Sequence, residues 1–122
     1  MKALLALALA WLGFLTHNLA DLPNRNPLIP ETLYPSLVYG ILGLAYLIKP
    51  SRLTSALLLL WVGLNFLGGG IISVLPLPFL PFAPEQTAYH YAFHAVYAAS
   101  QLPALILLLR RWREPAPTVV PR

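Results

Sequence analysis

Residues Glu85 to Gln101 read EQTAYHYAFHAVYAASQ, and the periodicity of this stretch decides the architecture. Wound as a helix at about 100° per residue, Gln86, Thr87, His90, His94, Tyr97 and Gln101 fall within about 100° of one another and form a polar stripe. On nearly the opposite side Ala88, Ala92, Ala95 and Ala99 form a row of small residues. Small rows let helix backbones approach closely in lipid, and polar groups placed there need partners or a wet cavity. A helix with both features, running on through apolar residues to Trp112, is built for the inside of a membrane bundle.

The remainder of the chain supplies the other helices. Of its 122 residues 58% are hydrophobic and 10% charged, with a mean hydropathy of +0.69, which places it in the membrane class. Four apolar segments are predicted at 3–20, 33–48, 53–75 and 85–112. The first, third and fourth are long enough to cross about 30 Å of hydrocarbon at about 1.5 Å per residue, and the second is short for a span and needs local thinning. The thirteen prolines concentrate between segments, near their ends and in the tail, where they end helices without breaking a buried ladder. Pro103 is the exception and predicts a kink at the carbonyl of Ala99. The fold class is therefore all-α: a single four-helix transmembrane domain over 1–113 and a short proline-rich tail over 114–122.

A secretory signal is the competing reading of the first segment. Asn18 stands where a small residue should precede cleavage, and Trp11, Phe14 and His17 are unusual in such a leader, so a retained helix is expected. Its small residues Ala3, Ala6, Ala10 and Gly13 recur in steps of three and four, and His17 is the next place on that row. The row is expected to pack against the alanine row of the last helix. In the second segment Ser36, Tyr39, Gly43 and Tyr46 share a face. In the third, Asn65, Gly69 and Ser73 do, and Gly68, Gly69 and Gly70 either admit another backbone or loosen the helix. The linker Pro76 to Pro84, PLPFLPFAP, is expected to lie extended over the mouth of the bundle.

Basic residues set the orientation. Lys2, Lys49, Arg52, Arg110, Arg111, Arg113 and Arg122 fall on one side of a four-helix arrangement and Arg25 alone on the other, so both termini are expected to be cytoplasmic in a plasma (inner) membrane. No basic patch carries interleaved aromatics, which argues against a nucleic-acid partner. There are no cysteines, which excludes disulfides and thiolate chemistry.

This topology brings all three histidines, His17, His90 and His94, to the outer end. His90-x-x-x-His94 offers two imidazoles from one helix face, and His17 can supply a third ligand to a divalent metal. Asp21, Glu31 and Glu85 flank the same mouth, with Glu85 the expected nearby carboxylate. A haem b held by His17 and His94 is a second use of the same residues. Tyr97, Asn65 and Gln101 are expected to line the deeper end of the pocket. The resulting expectation is a small membrane protein whose outward His/Glu/Tyr pocket binds a metal or small ligand, as an accessory subunit of a larger membrane assembly. The alternatives are an intramembrane enzyme of proton-transfer or isomerase type acting on a lipid or isoprenoid, and a structural subunit with no site. The partners implied are the bilayer, other membrane subunits or a lipid-like small molecule.

Overall fold

The structure, a computed structural model, describes residues 1–21 and 26–114. Apart from Glu114, the tail predicted over 114–122 lies outside the described residues. Helix α1 is Lys2–Asp21, α2 is Pro30–Ile48, α3 is Arg52–Leu64, and α4 is Ala88–Arg113. The third rod continues beyond α3 through a π-helical stretch, Asn65–Ile71, and a 3₁₀ turn, Ile72–Val74. Taken with these extensions, all four helices are long and apolar enough to cross a membrane.

Local chemistry sets the helix ends. The second helix begins at Pro30 rather than Leu33, because proline at a first helical position has no N–H to leave unpaired and Glu31 suits the positive end of the dipole. Ser51 opens α3 with a reciprocal capping box to Thr54. The last helix begins at Ala88 rather than Glu85, since Thr87 takes the capping position and its side chain accepts from the His90 N–H at 3.2 Å. Glu85 is left outside the helix, accepting from the Thr87 hydroxyl at 2.8 Å.

The rods form a ring in which α1 and α3 each touch both α2 and α4, with α1 against α4 the most extensive pairing. The inside holds small, aromatic and polar residues, Ala6, Ala10, Phe14, Tyr39, Tyr97, Asn65, His94 and Gln101, together with a few aliphatic ones, Leu58, Val62 and Leu108, all buried. Large aliphatic side chains such as Leu9, Leu37, Ile41, Leu60 and Ile106 point outward. A lipid solvent favours this distribution, because acyl chains are as good a neighbour for leucine as another leucine, whereas an amide or imidazole needs a protein partner.

The same argument corrects the expected pairing of α1 with the alanine row of α4. Ala92, Ala95 and Ala99 are exposed, and α1 instead meets the polar stripe, on which His94, Tyr97 and Gln101 are buried. Leaving alanine against lipid costs little, and leaving histidine and glutamine there costs several times more. The small row of α1 does face inward. At Gly13 the helices come so close that a Cβ would lie 2.4 Å from the Cβ of Ser100.

Candidate metal centre

Two i, i+4 pairs on neighbouring helices build the site: His17 and Asp21 in the last turns of α1, and His90 and His94 in the first turns of α4. The spacing puts each pair on one face, and the polar-stripe pairing of α1 with α4 turns the two faces toward each other. The rings of His17 and His94 meet edge to face with centroids 4.3 Å apart, and His90 lies beyond His94 at 4.5 Å. The His17 ring also stacks on Tyr97 at 5.1 Å.

Hydrogen bonds to the outer nitrogens fix the tautomers of the two inner histidines. The Asn18 amide donates through Nδ2 to the Glu31 carbonyl and to Thr32 Oγ1, both at 3.1 Å. A carbonyl can only accept, so Asn18 Oδ1 is the acceptor that faces His17 Nδ1 at 3.0 Å, and His17 carries its proton on Nδ1. His94 Nδ1 lies 3.2 Å from the carbonyl of Gly70 in the π-helical stretch and by the same reasoning is the protonated nitrogen.

In the neutral rings both Nε2 atoms are thereby left as bare lone pairs, and they stand 2.9 Å apart. Asp21 Oδ2 lies 3.1 Å from His17 Nε2. The same oxygen is 2.7 Å from His90 Nδ1, yet both atoms are buried and neither makes an aligned hydrogen bond among the described residues. Acceptor atoms at such distances repel unless positive charge lies among them. Ligand atoms on roughly 2.1 Å metal bonds are separated by about 3.0 Å at a right angle and about 3.4 Å at the tetrahedral angle. The donor atoms of His17, Asp21 and His94 all lie within 4.8 Å of one another, and this group can hold a metal ion.

The expected site residues are thus partly brought together. His17, His90 and His94 converge, and the carboxylate among them is Asp21. Glu85, expected there, is exposed and held by Thr87. Tyr97, Asn65 and Gln101 lie deeper, and their polar atoms are taken up by hydrogen bonds between helices. Tyr97 donates to Asn65 Oδ1, Asn65 Nδ2 donates to the Trp61 carbonyl at 2.9 Å, and Tyr39 donates to Gln101 Oε1 at 2.8 Å. Gln101 Nε2 in turn donates to the Ala10 carbonyl at 2.8 Å. A haem between His17 and His94 does not fit this geometry, since opposite axial bonds would hold the nitrogens about 4 Å apart across a macrocycle. At 2.9 Å they converge on one point as neighbouring ligands.

Sequence reasoning placed Asp21 at the mouth but preferred Glu85 to it, and it gave Asn18 no part in the site. The signal for Asp21 was present, because His17-x-x-x-Asp21 repeats the spacing of His90-x-x-x-His94. Nothing local marks Asn18, whose role depends on where α2 begins. Compared with protein-family models, curated proteins and solved structures, the chain gives no significant match.

Proposed function

We propose that this chain is a membrane metal-binding protein, in which His17, Asp21 and His94 coordinate a divalent transition metal at the outward mouth of the bundle. The observation that carries this reading is the pair of bare Nε2 atoms 2.9 Å apart beside a buried carboxylate oxygen. Neutral imidazole and carboxylate with no thiol suit zinc or iron better than Cu(I). Asp21 ends α1, where the helix dipole is negative, and this favours a cation further. His90 Nδ1 stands 2.7 Å from the carboxylate oxygen, outside the triad, and three protein ligands leave a coordination position for water or a small ligand. The bias of lysine and arginine toward the opposite end supports a cytoplasmic location for both termini in the plasma membrane, with the site facing out.

The test is metal binding by detergent-purified protein, stripped with chelator and titrated with Zn²⁺ by calorimetry, with Co²⁺ absorption reporting ligand geometry. One ion per chain is expected, with binding abolished in His17→Ala and His94→Ala. His90→Ala should weaken it by about 10- to 100-fold, as loss of an outer partner does. Parent protein that binds Zn²⁺ no better than the His17→Ala/His94→Ala variant would refute the site. The two nitrogens would then share a proton instead.

A further inference from the structure

At the opposite end of the bundle lies a cleft of about 530 Å³ between α1, α2 and α4. Its polar rim carries Lys2, Arg110 and Arg111 against the single carboxylate of Glu114. Its walls are apolar, Leu4 and Leu108 among them. Tyr46 also lines it. Among the described residues the buried hydroxyl of Tyr46 has no hydrogen-bond partner, and the Arg111 guanidinium lies over its ring, 5.2 Å from the centroid. An orphaned hydroxyl next to a hydrocarbon solvent is unfavourable, and a ligand that brings acceptor oxygens would relieve it.

We infer that this cleft binds the phosphate of an anionic phospholipid in the leaflet at that end. The inference stands apart from the metal reading. Among the described residues three cationic side chains facing one carboxylate give the complementarity. Cationic rim over apolar wall matches the order of headgroup and acyl chain in a lipid, where a soluble phosphate would need no apolar wall. The aliphatic flank continues on the outside of the bundle through Leu47, Ile48 and Leu109, all exposed, so an acyl chain leaving the cleft stays in hydrocarbon. Arginine suits the task, since its planar fork takes two phosphate oxygens at once.

The experiment is native mass spectrometry of full-length protein in detergent with phosphatidylglycerol or phosphatidylcholine added. Phosphatidylglycerol should be retained in preference to phosphatidylcholine. Each charge removed should cost about fivefold, so Lys2→Gln/Arg110→Gln/Arg111→Gln should lose roughly a hundredfold in affinity. Arg113→Gln removes a charge from the same end outside the cleft and should leave retention unchanged. Circular dichroism of each variant verifies folding. Equal retention of the two lipids, an equal loss in Arg113→Gln, or displacement of phosphatidylglycerol by millimolar inorganic phosphate would each overturn the inference.

Discussion

Replacing Gly13 by alanine probes the contact that brings α1 and α4 into register. A Cβ there would stand 1.8 Å from Ser100 Oγ and 2.4 Å from Ser100 Cβ, where ordinary contact begins at 3.4 Å. Turning the serine hydroxyl away relieves the first clash but not the second, because Cβ is fixed to the backbone. The helices must therefore separate by about 1 Å at this level, at a cost of about 1–3 kcal/mol. The usual gain from glycine to alanine in a helix does not offset it, since segments unfolded within a micelle or bilayer stay helical. His17 lies one turn further along α1, so the same separation should draw its Nε2 away from His94 and weaken Zn²⁺ binding at least tenfold. Unfolding by SDS titration in mixed micelles, followed by tryptophan fluorescence, reads the first effect and calorimetry the second. Gly63→Ala, with nothing within 4 Å of the added methyl, is the neutral control. Ser100→Gly in the Gly13→Ala background should restore both properties. If Gly13→Ala unfolds at the same SDS fraction as the parent, the close approach of α1 and α4 does not exist as described.

Other expectations concern the polar interior and its orientation. Ala95→Leu should change stability by no more than about 0.5 kcal/mol in the same titration, because Ala95 is exposed; a loss as large as that of Gly13→Ala would put the alanine row back at a helix contact. Tyr97→Phe removes the donor to Asn65 and should cost about 0.6–1.7 kcal/mol, the range for hydrogen bonds between membrane helices. An indifferent Tyr97→Phe would mean that Asn65 finds another donor. Zn²⁺ affinity should fall as pH is lowered, since each ligand imidazole must give up its proton, and Asp21→Asn should weaken binding without changing stability by more than about 1 kcal/mol. Retention of full affinity in Asp21→Asn would leave the carboxylate out of the site. A cysteine at Ala83 should react with an impermeant reagent added outside cells and one at Ser51 should not; the reverse pattern would invert the topology.

The four helices were legible because each is a sustained apolar run bounded by proline or charge, and the convergence of the three histidines at one end followed from counting spans. The pairing of faces was not legible. Alanine rows and histidine stripes compete for the neighbouring helix, and only the difference in what each loses against lipid decides between them, a comparison that periodicity does not contain. The carboxylate was misplaced for a related reason. Glu85 lies closer to His90 in sequence, but Thr87 caps the helix and leaves Glu85 outside it, whereas Asp21 reaches the histidines from the other helix. The glycine triplet was recognised as either a contact or a weak point. Two of the three make a contact with α4, within the π-helical stretch: a Cβ on Gly69 would lie 2.6 Å from the Tyr97 hydroxyl, and one on Gly70 would lie 2.9 Å from the Ala98 Cβ.

The π-helical stretch at Asn65–Ile71 implies a tolerance to change in length. A wider turn of this kind holds one residue more than an α-helix of the same rise, and deletion of a glycine would let it relax to ordinary winding with both flanks of the rod kept in place. The span would survive, and with it the seating of Leu58 and Val62 below. What would rotate away is the carbonyl now at Gly70, and with it the group that sets which nitrogen of His94 carries the proton. One residue of chain length thus separates two versions of the same bundle, one with His94 presenting a lone pair to His17 and one with the ring free to choose its tautomer. A single-codon deletion in this stretch is the change expected to pass from the first to the second.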